Sequence, residues 1–268
     1  AYASPNGDDS GSSYVVFGSA SAFPATVNLS TLDGTTGFRP DGEAADDRSG
    51  RSVSSAGDVN GDGYDDLIIG AFFADPNGNN SGSSYVVFGG AANMGATVNL
   101  STLNGTNGFR LDGEAALDYS GWSVSSAGDV NGDGYDDLII GAWGTDNNGT
   151  YSGSSYVVFG TASAFAPTVN LSTLDGTNGF RLDGVAASDS GASVFSAGDI
   201  NGDGYDDLII GANRADINGT DSGSSYVVYG GAKWGASAQV ATVGDDTVTG
   251  TAGADSLIGG EGNDTLNG

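Results

Sequence analysis

The chain contains no cysteine and no histidine in 268 residues, and a single lysine, Lys233. Without cysteine there is no disulfide framework, thiolate nucleophile or zinc ribbon. Without histidine a Ser-His-Asp triad is excluded too, which leaves paired carboxylates as the one formal route to catalysis. Seven basic residues stand against thirty-four acidic ones, a net charge of −27. Phosphate neutralisation needs clustered Lys and Arg, so a nucleic-acid partner is not expected. No apolar run approaches the eighteen or more residues of a membrane span. Glutamate is also scarce, at three residues against thirty-one aspartates. Aspartate is a turn and ligand residue, whereas a solvated helical surface would favour glutamate.

What the chain has is glycine, 48 residues of it, and repetition. Residues 58–66 read DVNGDGYDD, recur verbatim at 129–137, and recur with one Val to Ile change at 199–207. Oxygen donors fall at every second position (Asp58, Asn60, Asp62, then Asp66), with Gly63 after the third. A hard divalent cation takes six to eight oxygens at about 2.3 to 2.6 Å, and alternate side chains of a tight turn can supply most of them. Tyr64 is expected to offer its backbone carbonyl. The same roles fall to Asp129, Asn131, Asp133, Tyr135 and Asp137, and to Asp199, Asn201, Asp203, Tyr205 and Asp207. The eighth residue, Asp136 in the second loop, need not face the ion. An EF-hand would close with Glu at position twelve and enter a helix, but Ile69, Ile140 and Ile210 stand there. Closure therefore falls to Asp66, Asp137 and Asp207. A plain hairpin turn is the simpler alternative, since Asn-Gly and Asp-Gly are turn signals. Such a turn does not require four spaced donors repeated three times. Bound cations would also relieve the self-repulsion of the acidic chain, although a salt-adapted surface accounts for the charge as well.

Tyr14, Tyr85, Tyr156 and Tyr226, each in SGSSYVV, are spaced 71, 71 and 70 residues apart. Each unit holds four short extended segments: SVSSAGDV before the loop, DLIIGA after it, SSYVVFG, and TVNLSTL. Four strands in a unit of this length suggest one propeller blade. Sequence variation gathers in connections, where AFFADPNGNN, AWGTDNNGTY and ANRADINGTD occupy one position. Variable loops on a constant frame are how repeat proteins present a binding surface, and drift in unconstrained loops gives the same pattern. The Asn-x-Ser/Thr sequences at Asn28, Asn99 and Asn170 keep fixed repeat positions and read as strand residues, not glycan sites. The chain opens on AYASPNG in mid-unit, as a segment of something longer would.

Phe-Gly (Phe88-Gly89, Phe159-Gly160) paired with Ile-Gly-Ala after an Asp-x-Asn-Gly-Asp-Gly loop resembles the FG-GAP repeats of integrin alpha subunits and many secreted bacterial proteins. The resemblance covers roughly residues 1–232 and implies an all-β fold, a propeller of four-stranded antiparallel blades with calcium in the hairpin between the first two strands. SSYVV occurs four times but the loop and TVNLSTL only three times, so an incomplete propeller is expected. Residues 233–243 read as a linker. From 244 a nine-residue period takes over, marked by Asp246, Asp255 and Asp264. It resembles the calcium-binding nonapeptides of repeats-in-toxin proteins, which wind into a parallel β-roll. Successive turns should alternate sides, so that residues eighteen apart stack.

The expected function is an extracellular calcium-binding adhesion or recognition module, with an extracellular protein or glycan as ligand and no catalytic residue. The families imply secretion, in bacteria by the type I route. The alternative is a noncatalytic propeller domain of a larger secreted hydrolase or phospholipase.

Overall fold

The computed structural model describes residues 2–90, 95–187, 193–216 and 218–231, together with four short strands between 239 and 267. In chain order the strands of the main body are β1 (Val15–Val16), β2 (Gly37–Asp41), β3 (Ser52–Gly57), β4 (Asp66–Ala71), β5 (Ser83–Val87), β6 (Thr97–Asn99), β7 (Gly108–Asp112) and β8 (Ser120–Gly128). They continue with β9 (Asp137–Ala142), β10 (Ser154–Val158), β11 (Thr168–Asn170), β12 (Gly179–Asp183), β13 (Ser193–Gly198), β14 (Asp207–Ala212) and β15 (Ser224–Val228).

Two sheets are complete four-stranded antiparallel meanders, β3-β4-β5-β7 and β8-β9-β10-β12, the blades expected from the repeat. The β1–β2 pair lies before them and the β13-β14-β15 meander after them. The inner strands β3, β8 and β13 lie side by side. Serine hydroxyls join them, Ser52 accepting from Val124 N–H at 3.0 Å and Ser123 from Val194 N–H at 3.1 Å.

The middle strands read as continuous apolar runs because both of their faces are covered. Alternation sends Ile68 and Ile140 into the core between the second and third sheets, together with Val86, Phe109, Leu138 and Tyr156. Ile69 faces a core toward the first sheet, and Ile139 one toward the fourth. Each of the two complete sheets is thus a wall shared by two cores.

The fourth strand of a blade is not TVNLSTL. It is Gly-Phe-Arg-Leu-Asp, β7 or β12, in which Phe109 and Leu111 are fully buried and alternate with Arg110 and Asp112. Only Thr-Val-Asn of the other segment is extended, and it leaves its own blade. β6 pairs in parallel with β2 of the preceding sheet, and β11 in parallel with β7. The strand stops after three residues because the Asn99 side chain turns back to accept Ser101 N–H at 3.0 Å and opens a 3₁₀ turn, so the side chain competes with the ladder. Asn28 and Asn170 cap the same turn. Leu100 and Leu171 then enter the intersheet cores, each 2% exposed. Each unit therefore clasps the one before it.

In the tail, β16 (Gln239–Val240) pairs in parallel with β18 (Leu257–Ile258), and β17 (Thr247–Thr249) with β19 (Thr265–Asn267). Thr247 faces Thr265 and Gln239 faces Leu257, the eighteen-residue stacking expected of a β-roll. Asp246, Asp255 and Asp264 lie outside the described residues.

Because the clasp is anchored by one buried leucine, Leu100→Ala should cost about 3 kcal/mol, the usual scale for a buried leucine truncated beside a core. Urea unfolding in saturating calcium measures it. An unchanged midpoint would show that the exchanged strand contributes nothing to the joint.

Candidate metal centres

The three DxNxDGxxD loops form the β3–β4, β8–β9 and β13–β14 hairpins. Glycines at the fourth and sixth positions take left-handed backbone, with φ of 73° at Gly61 and 86° at Gly63. No atom lies near the place of a Cβ on Gly63, so the requirement there is conformational.

Within the first loop, the Asp58 carboxylate accepts Asp62 N–H at 3.0 Å and Gly63 N–H at 2.8 Å. Asn60 Oδ1 also accepts Asp62 N–H, and Asp62 accepts Tyr64 N–H. Asp129, Asn131 and Asp133 repeat this pattern in the second loop, and Asp199, Asn201 and Asp203 in the third. In the third loop the Gly204 amide, with those of Gly202 and Asp203, holds the Asp199 carboxyl below its ordinary range. The first, third and fifth side chains are thereby fixed around the inside of the turn. No three carboxylates among the described residues gather into a closed cluster.

The ninth residue differs from the others. Asp66, Asp137 and Asp207 are fully buried. Asp66 Oδ2 accepts Val59 N–H at 3.1 Å, and Oδ1 accepts the Gly89 N–H at 2.8 Å. Asp137 holds Val130 and Gly160 in the same way, and Asp207 holds Ile200 and Gly230. The carboxylate thus ties the start of the loop to the glycine that ends the third strand. That glycine lies against the carbonyl of the eighth loop residue, where a side chain has no room. Burial raises the Asp66 carboxyl to about 7, against the two N–H donors, and the charges of Asp62 and Asp58 add to the rise. Asp137 is driven to about 8 by burial, with Asp133 and Asp129 contributing.

Asp66 and Asp137 are raised chiefly by burial and to a lesser degree by the neighbouring carboxylates, an environment whose charge a cation would relieve, and every available donor is oxygen. The residues fit a hard divalent ion such as calcium, which Asp58, Asn60, Asp62 and Asp66 and their counterparts would hold. Bound there, the ion would supply charge neutralisation and cross-linking of the turn.

Two features of the loops are absent from a loop-by-loop reading. The Tyr135 ring packs on Gly61 of the preceding loop, and the Tyr205 ring on Gly132. Asp136 Oδ2 accepts the Asp58 N–H at 2.8 Å, and Asp206 Oδ2 accepts that of Asp129 at 3.0 Å. The verbatim repetition of the eighth aspartate was the available signal.

A second network joins the blades elsewhere. The buried Tyr85 donates its hydroxyl to Glu43 at 2.9 Å, and Glu43 is bonded by Arg110, which also pairs with Asp112. Tyr156, Glu114, Arg181 and Asp183 repeat it. Two of the three glutamates in the chain are used here, and Val185 stands in the corresponding place of the next unit.

Successive antiparallel blades, each with an acidic oxygen-rich hairpin between its first two strands, define a blade-repeat protein with candidate cation sites. The chain carries three FG-GAP repeats, at residues 49–87, 120–158 and 191–228, followed by the RTX calcium-binding nonapeptide repeat at 240–268. Among curated proteins it is 29% identical over 198 residues to phosphatidylinositol-glycan-specific phospholipase D of Dictyostelium discoideum, covering 69% of this chain and 20% of that protein. It is 32% identical over 184 residues to integrin alpha pat-2 of Caenorhabditis elegans, covering 66% of this chain and 13% of that protein. Against integrin alpha-6 of Gallus gallus it is 30% identical over 142 residues, 53% of this chain and 12% of the relative. The chain therefore spans a fifth or less of the length of these three relatives.

A carboxyl whose folded pKa is raised adds stability that is full below its unfolded value near 4 and is lost as pH rises through the folded value. For Asp66 and Asp137 that loss runs up to about 7 and about 8. In chelator the protein should melt higher at pH 5.5 than at pH 8.5, by a difference on the order of a few kcal/mol. In excess calcium the order should invert, because protons then compete with the ion. Scanning calorimetry at both pH values, with and without calcium, checks this. The same pH trend in both media would remove these carboxylates from the ion's shell.

Proposed function

We propose that the chain is an extracellular recognition module, stabilised by calcium in its blade hairpins and its nonapeptide tail, that binds a protein or glycan ligand on the face opposite the hairpin loops. The observation that carries this reading is an aromatic cluster centred on Trp143, which continues through Trp122 and Tyr119 to Phe72 and Phe73 of the preceding unit. In a meander the β9–β10 connection and the 113–119 link lie at the end away from the Asp-rich loop. There Trp143, Gly144 and Tyr151 replace Phe72, Phe73 and Asn80 of the preceding unit, and Tyr119 replaces Arg48. Tyr119 and Trp143 stack with ring centroids 5.0 Å apart and 10° between planes, and Tyr151 leans on Trp143 at 5.3 Å.

Tyr151 is 43% exposed and lines a cleft of about 400 Å³ with Glu114, Asp118, Asp146, Asn147 and Thr150. Both tyrosines hold left-handed backbone, φ 54° and 55°, a conformation that is uncommon for bulky residues and is kept where the surroundings impose it. An aromatic wall beside a polar cleft on a rigid frame is suited to a ligand that offers both an apolar face and hydrogen-bond donors.

Linkage supports the extracellular setting. Each ion contributes RT ln(1 + [Ca]/Kd), about 2.7 kcal/mol at a hundredfold excess over Kd, so the fold is favoured where calcium is plentiful. In a calcium-poor cytoplasm the charge of −27 repels itself, which agrees with export before folding by a type I route. No helix among the described residues is long and apolar enough to cross a membrane. A second reading, a noncatalytic propeller domain of a larger secreted phospholipase or hydrolase, is favoured by the similarity to the Dictyostelium enzyme.

An array of glycans and matrix proteins, probed with the chain in millimolar calcium, tests the proposal. Tyr151→Asn restores the residue that the preceding unit carries at this place, so the fold should survive. Affinity for any captured ligand should fall at least tenfold, as for loss of an aromatic anchor. Undiminished binding would place the recognition surface elsewhere.

A further inference from the structure

The hairpin loops do not stand alone. Asp136, the eighth residue of the second loop, reaches across the blade boundary. Its Oδ2 accepts Asp58 N–H at 2.8 Å, and its own N–H is donated to the Asp58 carbonyl at 3.3 Å. Asp206 makes the same pair of bonds with Asp129, at 3.0 and 3.2 Å. Two further contacts close each junction. Thr161 N–H is donated to Val59 at 2.9 Å and Gly231 N–H to Val130 at 2.8 Å, while the Tyr135 and Tyr205 rings cover Gly61 and Gly132. Asp65, the equivalent residue of the first loop, makes no such side-chain bond among the described residues.

We infer that Asp136 and Asp206 are positioning residues for the cation site of the preceding blade, so that filling one loop raises the calcium affinity of the loop before it. The inference rests on the calcium reading of these hairpins. Asp58 and Asp129 are the first-position ligands of their loops. Each has its backbone fixed by a carboxylate that belongs to the next loop, between that loop's seventh and ninth residues. An ion held by Tyr135 and Asp137 would immobilise Asp136 between them, and Asp136 in turn fixes the backbone from which the Asp58 side chain projects. Ordering that one ion has already achieved need not be repeated for the next, which is positive coupling without any change of fold. The coupling is directional along the chain in its wiring, and reciprocal in its free energy.

The sixth-position amides give one probe per site, because Gly63, Gly134 and Gly204 each donate to the first-position carboxylate of their own loop. A calcium titration of the full chain, followed by the amide resonances of these three glycines, reads the loops separately. In Asp136→Ala the Gly63 midpoint should move to about tenfold higher calcium, the scale of one charge-assisted hydrogen bond, while Gly134 in the mutated loop moves much less. Asp136→Asn retains an acceptor oxygen and should restore most of the Gly63 affinity. Asp65→Ala, with no partner loop, should shift neither midpoint strongly. If Asp136→Ala weakens Gly134 and spares Gly63, or leaves all three midpoints in place, the coupling is overturned while calcium binding stands. Titration of none of the three glycines in the unmutated chain would overturn the calcium reading itself.

Discussion

The structure depends on a carboxylate kept out of water. In every hairpin the ninth loop residue is fully buried, and one oxygen binds the start of the loop while the other binds the glycine ending the third strand. Those two bonds set the turn, the reach of the third strand and the close approach of its final glycine. At Asp66 and Asp137 burial disfavours the charged carboxylate. Burying a charge is costly unless it is paired, so a cation held by the loop, as proposed, would relieve a cost that the geometry of the blade itself imposes. Blades of short strands are thus built in a chain that has 48 glycines.

Much of this was legible in the sequence because repetition makes spacing visible. The all-β class and the four short strands per unit follow from residue identities at fixed intervals, while the placement of the loop between the first two strands and the eighteen-residue stacking of the tail are what the resemblance to FG-GAP and repeats-in-toxin repeats implies. The fourth strand was misassigned for a local reason. TVNLSTL offers Thr, Val and Leu, which favour strands, but Asn99 diverts the backbone after three residues, and period cannot reveal a side chain that outcompetes the ladder. Phe109 and Leu111 alternating with Arg110 and Asp112 were the better signal. Asp136 was hidden for a different reason. Its partner, Asp58, lies 78 residues earlier, and nothing in a loop read by itself points to its neighbour.

The two ends of the blades have diverged in role. At the Asp-rich end, three loops are almost identical and bonded to one another. At the other end the connections vary, and two of them bring Tyr119 together with Trp143 and Tyr151 in a stack. Rigidity at one end permits change at the other, since loops positioned by a stable frame tolerate variation. The Tyr85 and Tyr156 hydroxyls, fixed by Glu43 and Glu114, carry that rigidity across the sheets.

The exchange of β6 and β11 means that the unit of sequence and the unit of structure are out of phase. A piece of chain cut at repeat boundaries would take away a strand belonging to its neighbour and leave an unpaired β2 or β7 edge behind. Such an edge is a template for another copy of the same chain. A second copy could supply the missing strand at high concentration, so fragments cut in this way would tend to join end to end by strand donation.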